Sequence, residues 1–157
     1  MDTNDDKSGV RVFPPLIYLI AVGIGFLLQH LAPLRMPVGW REVERDAGVM
    51  LIALGLVIMV WAVALFRLVG TTPNPTKPTT ALVVRGPFRF TRNPMYLGLT
   101  LVGVGVGLVT DAIWVALLAI LASVAVQVLV IAKEEPYLER KFGADYRAYR
   151  ERVGRWL

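Results

Sequence analysis

Four apolar runs, separated by polar or charged segments, dominate the pattern of residues along the chain. They span Pro14–Leu34, Ala47–Leu68, Pro94–Thr110 and Ala112–Ala132, and none of them contains Asp, Glu or Lys. A helix that crosses a bilayer needs about 20 apolar residues, with a lower limit of about 17, and lipid-exposed backbone must be hydrogen-bonded within the helix itself. The pattern therefore predicts an all-α membrane protein with four transmembrane helices in a single domain over residues 1–157.

The segments between and after these runs predict the rest of the architecture. Only the turn around Thr110–Asp111 separates the last two runs, which predicts a tight helical hairpin. Val69–Thr80, rich in Pro and Thr, is incompatible with a regular helix. After the fourth run, apolar residues recur at helical spacing with bases between them, which predicts an amphipathic C-terminal helix on the cytoplasmic membrane surface. Its apolar face comprises Leu138, Phe142, Tyr149, Val153 and Trp156.

Positive charge is distributed unevenly about the four runs. Of the 17 Lys and Arg residues, 14 lie in the leader, in the segment from Arg67 to Arg92 and in the tail. Because positively charged segments stay in the cytoplasm, we expect both termini to be cytoplasmic and the protein to reside in the cell (inner) membrane. The leader has three acids against two bases and no A-x-A cleavage site, so no signal peptide is predicted.

The composition supports this class of protein and limits its chemistry. Hydrophobic residues make up 55% of the chain and charged residues 18%, with a mean hydropathy of +0.57. With a net charge of +5, the expected partner is an anionic membrane surface rather than nucleic acid. The chain has no Cys and a single His, His30, near the outer end of the first run. Thiol chemistry, disulfides and Cys/His metal sites are therefore excluded, and no metal is expected.

The stretch "RGPFRFTRNPMYLG", residues 85–98, places cations and rings at the mouth of the third run. Asn93 is a favoured N-cap and Pro94 is tolerated at the first helical position, so a helix is predicted to begin here. The free N–H groups and positive dipole of such a helix end can hold a carboxylate or phosphate. Phe88 and Tyr96 offer flat surfaces for a base or a cation. The alternative is an ordinary membrane-interface belt of Arg, Phe and Tyr.

Two adjacent acids, Glu134 and Glu135, end the fourth run at the same cytoplasmic depth as Asn93. Carboxylates at a helix C-terminus oppose the macrodipole, and Pro136 further disfavours helix there. This unfavourable placement indicates that the pair faces a positive ligand. The alternative is a solvated turn in which Lys133 is the partner.

A polar stripe leads from these acids back into the fourth run. Gln127 and Ser123 lie seven and eleven residues before Glu134, which places all three on one face of a regular helix. Ordinary interhelical hydrogen bonding is the alternative role for the stripe. A helix N-terminus with aromatics beside a carboxylate pair suits a zwitterion that carries an adenine-like ring.

Two motifs in this order, "ALVVRGPFRFTRNPMYLG" and "EEPYLERKFGADYRAYRERV", resemble the integral-membrane methyltransferases. These include isoprenylcysteine carboxyl methyltransferase and phosphatidylethanolamine N-methyltransferase. The resemblance covers Thr71 to Val153. It implies that S-adenosylmethionine is bound between the last transmembrane hairpin and the cytoplasmic segments around it, and that a methyl group passes to a lipid or other hydrophobic acceptor.

The resemblance also implies which residues contact the two reactants. The cofactor contacts fall on Thr80, Ala81, Leu82, Val83, Phe88, Asn93, Pro94, Met95, Tyr96, Glu134 and Glu135. The candidate acceptor contacts are Arg89, Arg92 and Gln127. No catalytic residue is assigned, because methyl transfer from a sulfonium is an in-line displacement for which correct placement of the nucleophile can suffice.

Departures from the prenylcysteine pattern bear on the acceptor. The prenylcysteine enzymes have His where Asn93 stands, and a substrate-contacting arginine of theirs falls on Val130, whereas "NPMY" and "EEP" are similar to the phospholipid enzymes. The acceptor atom, N, O or S, stays open. An NADPH-dependent sterol-reductase-like membrane enzyme is one alternative function, and a non-enzymatic membrane scaffold or transporter is another.

Overall fold

The described part of the chain is entirely helical where it is regular. The computed structural model describes residues 9–10, 12–35, 40–72, 74 and 78–157, and no strand occurs among them. The helices are α1 (Pro14–Leu31), α2 (Arg41–Leu68), α3 (Pro94–Val109), α4 (Ile113–Val126) and α5 (Ala132–Arg152). A short 3-10 turn, Gly86–Arg89, precedes α3, and a π-turn, Gln127–Ile131, joins α4 to α5. The all-α prediction is confirmed.

The helix ends follow the sequence signals, with one exception at the start of α2. Proline occupies the first position of both α1 and α3, where its missing N–H costs no hydrogen bond. By contrast, α2 begins at Arg41, six residues before the apolar run. Glu42 and Glu44 lie in its first turn, where acidic side chains are favoured by the helix dipole. In Val69–Thr80 the described residues form no helix, as predicted, while residues 73 and 75–77 lie outside the described part.

Glycine pairs allow α2 and α3 to pack backbone against backbone. A Cβ atom at Gly55 would lie 2.6 Å from the carbonyl oxygen of Gly98, and one at Gly48 would lie 2.8 Å from that of Gly105. Real Cβ atoms do not tolerate such distances, so only glycine permits this approach. From the first pair to the second, the contact moves seven residues back along α2, from Gly55 to Gly48, and seven residues forward along α3, from Gly98 to Gly105. The two helices are therefore antiparallel. Small residues in such stripes are the usual means of close helix packing in membranes.

The remaining helices complete the bundle around α3 and α4. Asp111, with φ of 53°, forms the tight turn between these two helices, so the predicted hairpin is confirmed. α1 packs mainly against α4, and its Tyr18 hydroxyl lies 2.7 Å from Oγ1 of Thr100 near the beginning of α3. At the other end, Trp114 donates to the carbonyl of Ala32. The beginnings of α1 and α3 therefore lie at the same end of the bundle.

In the part of the chain that the structure describes, three helices are long and apolar enough to cross a membrane. They are α1, α2 and the continuous helix Ile113–Arg152, whose apolar part ends at Ala132, whereas α3 is apolar but has only 16 residues. Large hydrophobic side chains cover the outward faces of α1 and α2, and an exposed apolar surface of this size indicates contact with lipid. The helices thus fit a membrane protein, and the count of four spans stays a prediction.

The C-terminal helix differs from its predicted position. The apolar face containing Leu138, Phe142 and Tyr149 packs against Phe88 and other residues of the protein. Trp156 packs into a second cluster beside α1 and the π-turn. α5 also bends at Gly143, which has φ of 55°. The predicted face exists, but it covers protein rather than the membrane surface, which corrects the sequence-based expectation.

Candidate functional site

A cavity lies at the end of the bundle where α2 ends and α3 and α5 begin. It contains about 840 Å³ of empty space, counting the part open to solvent. The segment after α2, the 3-10 turn, the first turn of α3 and one side of α5 surround it. The predicted contacts that line it are Ala81, Leu82, Val83, Phe88, Arg92, Asn93, Pro94, Met95, Tyr96, Glu134 and Glu135.

Aromatic side chains form one wall of this cavity. Phe88, buried in the 3-10 turn, meets Phe66 of α2 edge to face, with ring centroids 5.1 Å apart. The hydroxyl of Tyr149 donates a 2.7 Å hydrogen bond to the Phe88 carbonyl and so fixes the turn to α5. Gly86 adopts φ of 59° at the start of the turn, close to Trp61 and Leu65, where a side chain would clash. The wall is therefore rigid, and its rings can stack on a planar group.

Glu134 is the carboxylate of the cavity that lacks a cation. Its Oε2 accepts a 3.0 Å hydrogen bond from the hydroxyl of Tyr96, and none of the ion pairs formed by the described residues includes it. Burial raises the pKa of Glu134 to about 7, and the nearby charge of Glu135 adds to the rise, while the Tyr96 hydrogen bond opposes it. Such a carboxylate gains most from a cationic ligand.

Glu135, in contrast, is neutralised by the protein. Arg155 binds it through two hydrogen bonds, Nε to Oε1 at 2.9 Å and Nη2 to Oε2 at 2.6 Å. Arg92 adds a contact of 3.1 Å from Nη1 to Oε1, and both side chains of this second pair are largely buried. The expectation that both acids face a positive ligand is therefore corrected: only Glu134 is left for one. Lys133, the alternative partner, is exposed and forms no ion pair with either acid among the described residues.

The last residues of the chain close one side of the cavity. The amide N–H of Arg92 donates to the Gly154 carbonyl at 3.0 Å. The Arg155 carbonyl accepts hydrogen bonds from the Thr91 hydroxyl at 3.2 Å and from Nδ2 of Asn93 at 2.9 Å. Asn93 does occupy the N-cap position of α3, but its side chain does not cap the helix. Its predicted capping role is wrong, because the C-terminal segment takes that side chain.

Three predicted contacts lie away from the cavity lining. Thr80 is exposed and its hydroxyl donates to the Gly70 carbonyl, which anchors the loop to the end of α2. Arg89 is exposed on the 3-10 turn. Gln127 accepts a 2.6 Å hydrogen bond from Nε1 of Trp156, while Ser123 donates to the carbonyl of Ile120 in its own helix.

The π-turn explains why the predicted polar stripe does not form. A π-turn holds one residue more than an α-turn, so Gln127 and Glu134 do not keep the phase of a regular helix across it. Glu134 therefore reaches the cavity while Gln127 is directed to Trp156. The alternative of interhelical hydrogen bonding does not describe Ser123, which bonds within its own helix, and Gln127 bonds to Trp156 beyond the end of α5.

The amino-acid sequence matches the model of a known family of enzymes. A family model described as phospholipid methyltransferase matches residues 43–145. The chain belongs to this family. It is also similar to an uncharacterized protein of Haemophilus influenzae, with 40% identity over 68 residues that make up 40% of this chain and all of that protein. No solved structure matches the chain.

Membership of the phospholipid methyltransferase family implies methyltransferase activity in a membrane, and it confirms the resemblance seen in the two motifs. The matched range contains Glu134, Glu135 and all the other predicted contacts. It ends before Arg155, whose pairing with Glu135 was not predicted from the sequence. The signal was weak, because a single arginine does not stand out among the bases of the tail.

Tyrosines of α5 were missed for a different reason. Tyr137, Tyr146 and Tyr149 all line the cavity and are buried. The Tyr146 hydroxyl accepts a hydrogen bond from Nη1 of Arg92 at 3.3 Å, and that of Tyr137 accepts one from the Thr79 amide at 3.0 Å. Of these three, only Tyr149 belonged to the predicted apolar face, and that periodicity did not indicate the cavity that the tyrosines line.

Proposed function

We propose that the protein is an S-adenosylmethionine-dependent methyltransferase that modifies a lipid or another hydrophobic acceptor at the cytoplasmic face of the membrane. The family supports methyl transfer. The observation that carries the choice of cofactor is Glu134, a buried carboxylate that faces the cavity with a hydroxyl partner and no cation among the described residues. An amino-acid ammonium beside an aromatic wall is the ligand chemistry that complements it.

The residues of the cavity fit the three parts of this cofactor. Glu134 would hold the ammonium group. Phe88, with Phe66 behind it, would take the adenine ring. The first turn of α3 would take the carboxylate through the N–H groups of Met95 and Tyr96, because the N–H groups that begin a helix have no partner within it and Pro94 has no N–H.

The chemistry requires little more than placement. S-adenosylmethionine supplies an electrophilic methyl group on a positively charged sulfur. The contribution of the chain is to fix that group, to exclude water with Phe88, Tyr146 and Tyr149, and to leave the methyl accessible to the acceptor. Glu135 is held in place by Arg92 and Arg155, so its charge does not compete for the ammonium position.

The topology in this proposal has four spans and cytoplasmic termini. α3 with 16 residues would span about 24 Å at 1.5 Å per residue, somewhat less than a hydrocarbon core of about 30 Å. The uneven distribution of Lys and Arg supports a cytoplasmic position for the cavity end. Cysteine labelling of a Leu157→Cys variant in intact cells tests this, since the parent has no cysteine. Labelling by an impermeant reagent before lysis would overturn the topology.

Calorimetric titration of the purified protein tests the function. We expect S-adenosylhomocysteine to bind and NADPH not to bind. Glu134→Gln should weaken binding by about 30-fold or more, because truncating one partner of a buried charge pair costs about 2–5 kcal/mol. Glu139→Gln is the matched control, since Glu139 lies on the same helix and its one ion pair among the described residues is with the exposed Arg150. Equal affinities of parent and Glu134→Gln would show that Glu134 does not hold the ammonium.

A further inference from the structure

A second, apolar groove lies beside the cavity, on the side of α1 and α2. Among the described residues, Phe13, Met59, Val63 and Leu99 line it, and it holds about 640 Å³ of empty space, counting the part open to the surroundings. Almost all of its lining is hydrocarbon. Such a lining offers a polar molecule almost no hydrogen-bonding groups, so the groove suits an aliphatic chain.

The packing of the bundle creates this groove. α2 packs mainly against α3, while α1 packs mainly against α4. The glycine contact of Gly55 with Gly98 draws α2 onto α3, and the Tyr18 hydroxyl, near Thr100 of α3, holds the beginning of α1 on the other side. α1 and α2 are therefore separated above α3, and the space between them opens on the lipid-facing surface.

The groove and the cavity share a wall. Met95, Tyr96 and Asn74 line both of them. The Tyr96 hydroxyl reaches Glu134 in the cavity, while other atoms of the same residue face the groove. A chain lying in the groove therefore ends beside the candidate cofactor site.

We propose that this groove binds an acyl chain of the methyl acceptor, a phospholipid that enters sideways from the bilayer between α1 and α2. The inference rests on the proposed function. It adds a binding site and an entry route, which place the headgroup next to Met95 and Tyr96 while the chain stays in the groove. The continuity of the two spaces at these residues carries the argument, together with the apolar lining.

Photo-crosslinking in nanodiscs tests the groove in the parent protein. The probe is phosphatidylethanolamine with a diazirine in its acyl chain, and mass spectrometry maps the modified residues. We expect crosslinks to concentrate on Phe13, Met59 and Val63. Crosslinks spread evenly over the exposed faces of α1 and α2, with no excess at these three residues, would overturn the proposal whatever the variants show.

A pair of tryptophan variants on one helix sharpens the test. Val63→Trp fills the groove and should reduce its crosslinks at least fivefold. Val60→Trp, at a position that is 68% exposed on the same helix, should leave them unchanged. S-adenosylhomocysteine affinity should stay within twofold of the parent in both variants, because neither residue lines the cofactor cavity. Undiminished crosslinking at Phe13 and Met59 in Val63→Trp would contradict the groove.

The outcomes separate this proposal from the function on which it rests. If the parent fails to bind S-adenosylhomocysteine but shows the groove crosslinks, the proposed cofactor is wrong and the lipid groove stands. If the parent binds S-adenosylhomocysteine but the crosslinks are spread evenly, the function stands and the groove is wrong.

Discussion

The hydroxyl of Tyr96 donates a 3.0 Å hydrogen bond to Oε2 of Glu134 and so joins the beginning of α3 to the beginning of α5. This bond is one of several direct links between the two sequence motifs inside the cavity, together with the Arg92–Glu135 ion pair and the hydrogen bond from Tyr149 to Phe88. It supplies the one polar partner that the structure shows for the Glu134 carboxylate, and it links the lipid-side groove with the cofactor side.

Tyr96→Phe should separate the contribution of this hydrogen bond to folding stability from its contribution to cofactor binding. The buried Glu134 would lose its donor, which costs about 1–3 kcal/mol when a buried polar group is left unsatisfied. We therefore expect a lower melting temperature, with a smaller loss of S-adenosylhomocysteine affinity than in Glu134→Gln. Thermal unfolding in detergent and calorimetry measure both. A variant that melts like the parent would show that the bond contributes nothing to stability.

Cofactor binding should depend on pH near neutrality. The pKa of Glu134 is raised to about 7 in the folded protein, so the carboxyl takes up a proton as the pH falls through 7 and then no longer attracts an ammonium group. S-adenosylhomocysteine affinity should fall by up to about tenfold per pH unit below that value. Titrations between about pH 5.5 and 8 measure the dependence. In Glu134→Gln the affinity should be low and nearly flat over this range.

The contribution of Glu134 to the stability of the ligand-free protein should change with pH in the opposite direction to cofactor affinity. A carboxyl whose pKa is higher in the folded state binds more protons than in the unfolded state, so its contribution is largest below the unfolded pKa, about 4.3. That contribution is lost as the pH rises through about 7. The difference in melting temperature between parent and Glu134→Gln, measured across this range, isolates the effect. A difference that does not vary with pH would contradict it.

Arg155, although near the end of the chain, should contribute both to stability and to the pH profile of cofactor binding. Arg155→Ala removes the two hydrogen bonds to Glu135, and we expect a loss of about 1 kcal/mol because the arginine is partly exposed. The charge left on Glu135 should also raise the pKa of Glu134 further and shift the binding profile to higher pH. Arg155→Lys should recover only part of the effect, since lysine lacks the fork geometry.

The control for Arg155 is Arg152, which is exposed and, within the described ranges, donates only to the Ala148 carbonyl of its own helix. Arg152→Ala should leave both the melting temperature and the pH profile close to those of the parent. If the two alanine variants behaved alike, the bidentate contact with Glu135 would have no role in the site.

The α2–α3 contact should tolerate no side chain at its glycines. A Cβ at Gly55 would lie 2.6 Å from the Gly98 carbonyl oxygen, and overpacking of this kind typically costs about 1–3 kcal/mol. Gly55→Ala should therefore lower the melting temperature. Gly23→Ala is the control, because a Cβ there meets no atom within 4 Å, and replacing a helical glycine by alanine should stabilise by about 0.5–1 kcal/mol. Equal effects would show that α2 and α3 are not in close contact.

Local signals predicted much of this structure. Pro14 and Pro94 begin α1 and α3 as expected, and the hairpin at Asp111 follows from the lack of any longer connection. The motif resemblance also placed Phe88, Tyr96 and Glu134 in one cavity, although they come from distant parts of the chain. These features depend on residues close in sequence or on a motif shared across a family.

The remaining features depend on which surfaces meet in three dimensions. Periodicity showed that α5 has an apolar face, but an apolar face is equally suited to lipid and to protein, so its contact with Phe88 was not predictable. Glu134 and Glu135 look alike in sequence. They differ only because Arg92 and Arg155 reach one of them and not the other.

The π-turn at Gln127–Ile131 determines whether the helix can lose or gain a residue. It contains one residue more than a regular α-turn, and it lies between α4, which packs in the bundle, and α5, which carries Glu134. Deleting Val128, whose side chain is 61% exposed, would convert the turn to regular α-helix and leave both flanking segments in their present orientation. An added residue would rotate Glu134 by about 100° away from Tyr96, given 3.6 residues per turn. The helix is thus tolerant of shortening by one residue and intolerant of lengthening.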